Sequence, residues 1–206
     1  MSCGYGGASD DAIARNISWF NYVAAENLRE PCGPGAANRI RLVYKGIYDE
    51  QIRSYDVREL PDTRGAAFTA FARGDGDLTQ GIPITNLLKP WRGERVNSVI
   101  SPRSFSDLRA ALNADRFIGF KPIGLRLSSR EFYWVVVGCL DGRFQANAWM
   151  YPSQRFKSLK FPRVLLENDK TGIAFSKAVS IDQRAHEPEK HKRDSNPNNG
   201  EFEIQL

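Results

Sequence analysis

Apolar and polar positions alternate most clearly between Phe117 and Tyr151. Two β-prone runs, residues 131–140 and 143–151, flank the dipeptide Asp141-Gly142. Asp-Gly between such runs predicts a two-residue hairpin turn, because both central residues of that turn need positive φ. A two-residue loop also sets the register. Leu140 should lie opposite Arg143, Cys139 opposite Phe144, Val137 opposite Ala146, Val135 opposite Ala148 and Tyr133 opposite Met150. Tyr133, Val135, Val137, Cys139, Phe144, Ala146, Ala148 and Met150 then share one face, apolar throughout and expected to meet the core. The other face sets Gly138 against Gln145, Val136 against Asn147, Trp134 against Trp149 and Phe132 against Tyr151, half polar and half aromatic.

The same pattern rules divide the rest of the chain. Residues 24–30 read as helix and stop at Pro31; before them, 13–24 carry helical spacing, with a strand over 17–23 as the other reading. Residues 39–44, 51–60 and 66–73 are β-prone runs joined by short turn-rich links, which predicts an antiparallel meander. Residues 82–88 are broken by Pro83 and suit an edge strand or a loop. Ser104 is expected to cap a helix over 104–113, with Phe105, Leu108, Ala111 and Leu112 as its apolar stripe. Residues 117–127 read as a strand interrupted at Pro122 and Gly124, and residues 164–166 and 173–179 as the last core strands. Residues 182–200 lack apolar cores and read as a disordered tail. Residues 201–206 then alternate again, as a terminal strand expected to dock on its own sheet rather than on another chain, with a frayed terminus as the other reading.

The fold class that follows is mainly β (α+β): antiparallel sheets in a sandwich- or barrel-like arrangement, one clear helix near 104–113, and a disordered C-terminal tail. The expected division is an N-terminal tether and helix over 1–37, a β-rich domain over 38–181 and the tail over 182–206. The β-rich part can also divide into 38–100 and 101–181, joined around Trp91 to Ser101. A chain of 206 residues accommodates either one large or two small domains.

Composition adds charge asymmetry to this picture. The chain carries a net +5. Residues 116–163 hold nine basic residues against two acids, Glu131 and Asp141, a net +7 that leaves the remainder near −2. The hairpin half is therefore the basic half, which points to an anionic polymer, a membrane surface, an acidic protein or nucleic acid as partner. Arg155, Lys157, Lys160 and Arg163 are expected to form one solvent-facing patch edged by Phe156 or Phe161. Trp134 and Trp149, if exposed, would form an aromatic platform able to stack on sugars or bases; a covering sheet or the Phe105 helix would instead make them core. No run approaches the ~18 apolar residues of a membrane span.

The chemistry available for catalysis is sparse. The only histidines, His186 and His191, fall in the tail, so a Ser-His-Asp or Cys-His mechanism has no structured base. Their spacing of five, with Pro188 between them, does not suit a zincin helix. Gly74-Asp75-Gly76-Asp77 reads as a turn, with a cation site or a carboxylate-dependent hydrolase using Asp75 and Asp77 as the other readings. Asp49, Glu50 and Asp56 with Arg53 and Arg58 suit an acid–base cluster or plain strand charges. The sequence implies no cofactor and no metal.

Three cysteines remain. Cys32 and Cys139 can pair in an oxidising compartment, leaving Cys3 over; Cys139 alone can equally be a small buried hydrophobe. The start Ser2-Cys3-Gly4, followed by a Gly-rich stretch, resembles the junction at which bacterial lipoproteins are cleaved and acylated on cysteine. The resemblance implies Cys3 as a lipid attachment site, a true start upstream of Met1 and a place in the cell envelope or periplasm. A flexible cytoplasmic terminus is the alternative. The expected function is non-catalytic recognition of an anionic or glycan-bearing partner in the bacterial envelope. The alternative is a cytosolic nucleic-acid-binding module using the same surface.

Overall fold

Asp141 and Gly142 take φ of 50° and 73°, the pair of positive values that the predicted turn requires. The structure, a computed structural model, describes residues 25–46, 51–62, 65–73, 93–119, 126–128, 131–178 and 203–205. In chain order the elements are α1 (Glu26–Arg29), β1 (Arg39–Lys45), β2 (Ile52–Glu59), β3 (Ala66–Arg73), β4 (Glu94–Ile100), α2 (Pro102–Ala114), β5 (Arg126–Ser128), β6 (Tyr133–Leu140), β7 (Arg143–Met150), α3 (Gln154–Lys157), α4 (Phe161–Asn168) and β8 (Glu203–Gln205).

The hairpin register is the expected one at every pair from Leu140↔Arg143 to Tyr133↔Met150. β1 to β4 form the antiparallel meander, and β6 joins the free side of β1, giving one six-stranded sheet in the order β4-β3-β2-β1-β6-β7. The fold is mainly β, α+β, and layered; the sheet stays open instead of closing into a barrel. One sheet runs through both halves of the β-rich region. β4 itself lies where the sequence suggested a junction. Its run Glu-Arg-Val-Asn-Ser-Val-Ile buries only Ile100 fully, as suits an outer strand, so its apolar signal is weak.

Both faces of the central strands are covered. On one, Ile40, Leu42, Tyr44, Tyr55, Val57, Phe68, Trp134, Val136 and Trp149 pack under Phe105, Leu108 and Leu112 of α2, Phe117, and Phe161 and Leu165 of α4. On the other, Tyr133, Val135, Val137 and Ala148 pack under Ala25 and Leu28 of the α1 segment and Leu127 of β5. The apolar face expected to meet the core does so, and the aromatic face opposite is the larger core.

α2 crosses the sheet. It begins one residue after β4, and Arg116, just past its end, has its carbonyl hydrogen-bonded by Asn147 of β7 (3.0 Å). Thirteen helical residues span about 20 Å, close to the width of the six strands at about 4.8 Å spacing. The helix starts earlier than expected: Ser101, not Ser104, is its N-cap, accepting from Ser104 N (3.1 Å), because Pro102 suits the first helical position. A second correction concerns residues 164–166, which are helix α4 and not a strand. Phe161 and Leu165 are buried four apart with Val164 beside them, the spacing of a helical face. Residues 173–178, expected as the other of the last core strands, form no strand and make no ladder pairing among the described residues.

Two further pairings join parts of the chain far apart in sequence. Cys32 and Cys139 are disulfide-bonded, with Cα atoms 5.5 Å apart, tying the chain after α1 to β6. The terminal strand β8 pairs within its own chain, Ile204 opposite Leu127, on β5 and not on the main sheet. Residues 1–24, 74–92 and 179–202 lie outside the described residues, and with them the helix expected over 13–24, Cys3, the edge strand or loop expected over 82–88, Asp75, Asp77, both histidines and most of the tail.

Candidate functional site

The basic surface is built on the chain that leaves β7. Ser153 caps α3, its hydroxyl accepting from Phe156 N (3.2 Å) and donating to Met150 O (2.6 Å). Arg155 and Lys157 stand exposed in this short helix, while Phe156 is half-buried against Tyr151 in an edge-on ring contact of 5.5 Å. Lys160 and Arg163 are exposed at the start of α4. The cap of α4 comes from elsewhere: Asp115 Oδ2 accepts from the backbone N–H of Lys160 (2.7 Å) and of Phe161 (3.0 Å). A carboxylate there also meets the positive end of the helix dipole.

Asp115 belongs to the end of α2, which closes in a Schellman motif: Phe117 N bonds Leu112 O (2.9 Å) and Arg116 N bonds Asn113 O (3.0 Å). Arg116 occupies the left-handed position of that motif with φ 58°. Glycine is preferred there, and a side-chain-bearing residue costs roughly 1–2 kcal/mol. The Arg116 side chain is exposed and makes no ion pair with any described residue. Arg155 follows β7 in the short helix α3. Its guanidinium carbon sits 5.8 Å from the ring centre of Trp149, on the strand whose Asn147, two residues earlier on the same face, holds the Arg116 carbonyl. Partial burial and then the like charge of Arg116 hold the Arg155 guanidinium below its ordinary pKa.

The structure therefore separates the expected site residues into two groups. Arg155, Lys157, Lys160 and Arg163 are on the surface, with Phe156 half-buried among them. Trp134, Trp149 and Phe161 are not surface residues. Both tryptophans are 2% exposed and Phe161 is fully buried, its ring 5.2 Å from that of Trp134 and 5.4 Å from that of Trp149. The covering element is α4, so the two tryptophans cannot serve as a stacking platform, and Phe161 edges no patch. Arg163 pairs with Glu167 at 3.5 Å, both highly exposed, and such pairs are worth little. Arg116 was not singled out by sequence reasoning. Its charge was visible, but its placement depends on the left-handed turn after α2.

The expected acid–base cluster is dispersed. Asp56 pairs with Arg41 (3.1 Å) on one face of the sheet, and Arg53 pairs with Asp169 on the other; Asp49 and Glu50 lie outside the described residues. The Arg53–Asp169 pair is nearly wholly buried and fully bonded. Tyr55 donates to Asp169 Oδ2 (2.7 Å), and Thr171 donates to Oδ1 through its hydroxyl (2.7 Å) and its N–H (2.8 Å). Arg53 also donates to Gln51 Oε1 (2.8 Å) and to the Ile173 carbonyl, and Gln51 donates to Ala174 O (2.7 Å). This network straps residues 169–176 to β2. Burial would raise the Asp169 pKa, but the Thr171 and Tyr55 hydrogen bonds and the Arg53 charge outweigh it and hold the carboxyl below its usual range. Burial, aided by Asp169, pushes the Tyr55 hydroxyl well above its usual value. Neither group is poised to exchange protons near neutrality. Lys45, buried on the opposite face near the Tyr133 ring (5.9 Å), is lowered by burial to about 8.

Among the described residues no group of three His, Cys, Asp or Glu side chains is placed to hold a metal ion, and no helix is long and apolar enough to cross a membrane. No protein-family model, curated protein or solved structure matches the chain.

Proposed function

We propose that this is a non-catalytic binding protein of the bacterial cell envelope that recognises an anionic partner through the α3–α4 surface. The observation that carries the reading is the run of exposed Arg155, Lys157, Lys160 and Arg163, joined by Arg116; Arg163 among them pairs with Glu167. The Asp115 carboxylate is engaged in capping α4, which limits how far it offsets the cluster. The Cys32–Cys139 bond supports an oxidising compartment, where such bonds persist. An anionic glycan remains a suitable partner by charge alone, since stacking on Trp134 and Trp149 is closed off by their burial.

The test compares wild type with a variant carrying alanine at Arg155, Lys157, Lys160 and Arg163. Heparin, duplex DNA and anionic vesicles are the probes. The proposal expects the variant to lose heparin or vesicle binding by an order of magnitude or more while its thermal unfolding is little changed. Binding of DNA alone, lost in the variant, transfers the same surface to the nucleic-acid reading. Equal binding of all three probes by both proteins refutes the surface.

A further inference from the structure

The six-stranded sheet has two outer strands, β4 and β7, and their free edges differ. Main-chain groups point alternately to one side and the other along a strand. At the end of the β6–β7 hairpin Tyr151 N–H bonds the Phe132 carbonyl (2.9 Å), which turns the groups of Phe144, Ala146, Ala148 and Met150 outward from β7. Two of these positions are closed off. Asn147 Oδ1 accepts from Ala148 N–H (2.8 Å), and the Met150 carbonyl accepts from Ser153 through its hydroxyl (2.6 Å) and its N–H (3.1 Å).

β4 shows no such blocking among the described residues. Leu60 N–H bonds the Gly65 carbonyl (2.9 Å) at the β2–β3 turn, and alternation from that pair turns the groups of Ala66, Phe68, Ala70 and Ala72 toward β4. Their partners Ile100, Ser98, Val96 and Glu94 spend their main-chain groups on β3. Arg95, Asn97 and Val99 therefore point theirs outward, and no described residue bonds them. Their side chains share one exposed face. Asn97 accepts from the Thr69 hydroxyl (2.8 Å) and the Arg95 guanidinium carbon lies 5.3 Å from the Phe71 ring centre, so both lean on β3. Val99 is 65% exposed, more than any other large apolar side chain among the described residues. An unblunted edge of this kind is a template for another strand.

We propose that β4 is the interface of a two-fold dimer, pairing antiparallel with β4 of a second copy of this chain. Outward groups must meet outward groups, which leaves few registers. A two-fold axis at Asn97 overlaps the whole strand: Asn97 faces Asn97, Arg95 faces Val99 and Glu94 faces Ile100 of the other copy. About six main-chain hydrogen bonds form in that register. No like charges oppose each other there, whereas an axis at Arg95 sets arginine against arginine. The aliphatic stem of Arg95 covers Val99, and the facing Asn97 amides can each donate and accept. The strand is thus complementary to itself, as an interface between identical copies requires. β4 is the edge away from β7, so the pairing leaves the α3–α4 surface of each copy uncovered.

The experiment is sedimentation equilibrium of the full chain over a concentration series, with Val99→Lys, Val99→Glu and the double variant Arg95→Glu/Val99→Lys beside wild type. Each Val99 substitution sits at an exposed position and enters the interface twice by symmetry. The pairing predicts a monomer–dimer equilibrium for wild type. Val99→Lys sets a like charge against Arg95 and should weaken association roughly tenfold. Val99→Glu sets an opposite charge there and should hold or tighten it, and the double variant, which reverses the pair, should restore what Val99→Lys loses. Thermal unfolding of each variant in dilute solution separates lost pairing from lost folding. A wild type that stays monomeric up to millimolar concentration overturns the proposal. Equal weakening by Val99→Lys and Val99→Glu also overturns it, because it reports only a lost apolar contact. Association that none of the variants changes overturns it too, by placing the contact elsewhere.

Discussion

At the scale of single residues, backbone conformation and burial make separable predictions. Gly142 and Gly172 share a φ of 73°, but only Gly142 is crowded: an added Cβ would stand 2.8 Å from the Gly33 carbonyl oxygen, whereas Gly172 faces open space. Gly172→Ala should therefore cost about 1 kcal/mol from strain alone, and Gly142→Ala about 3 kcal/mol or more, since the Cys32 loop must also move. Urea unfolding of the two variants measures the difference, and equal losses would mean that the loop does not pack on the turn. Asp169 predicts a pH dependence. Its folded pKa is depressed, so its contribution is fully present above the ordinary carboxylate pKa and is lost as pH falls through that value and then the folded one. Asp169→Asn leaves Arg53 buried without its counter-charge and should cost about 3 kcal/mol at neutral pH. Its loss relative to wild type should begin to shrink as pH drops below about 4, where Asp169 of the unfolded wild-type chain takes up its proton, and should vanish only below the depressed folded value. Unfolding midpoints followed from neutrality into that range test this; a loss independent of pH would contradict the assigned charge state.

Among the elements, legibility followed how local the cause was. The β6–β7 register was readable because a two-residue turn and an alternating pattern lie within twenty residues of sequence. The disulfide was readable only as one option for Cys32 and Cys139, since their approach depends on β6 entering the sheet beside β1. α4 was misread because Val164, Leu165 and Leu166 form an apolar run too short to show a period; the burial of Phe161 one turn earlier settles it as helix. β4 was missed because an outer strand buries little. The site was half legible: the basic residues could be counted, but Trp134, Trp149 and Phe161 could be assigned to core or surface only once α4 was seen to lie on them. The link that holds α4 there is the cap from Asp115. Asp115→Ala should cost about 1–2 kcal/mol and speed amide exchange in α4 more than in the sheet. Unchanged protection of α4 would place its anchorage in the Phe161 and Leu165 packing alone.

For the whole molecule, two long-range features define the account: a covalent tie across the sequence and a segregated charge. The Cys32–Cys139 bond joins residues 107 apart, and a loop of that size contributes about 4–5 kcal/mol on the chain-entropy model. Wild type under a dithiol reductant and the Cys32→Ser/Cys139→Ser variant should unfold at the same lowered urea concentration. A reductant effect that persists in the double variant would mean that the bond is not its origin. The charge is the central claim, because the proposed function depends on the α3–α4 surface meeting an anion with several cations at once. Binding through phosphates or sulfates releases counterions, so affinity falls with salt in proportion to the charges engaged. The direct measurement is the slope of log affinity for heparin against log salt concentration, for wild type and for the variant with alanine at Arg155, Lys157, Lys160 and Arg163. The account predicts a steep negative slope for wild type that falls close to zero in the variant, with the folded state of both retained. An equal slope in the two proteins would contradict it and place the contact elsewhere on the molecule.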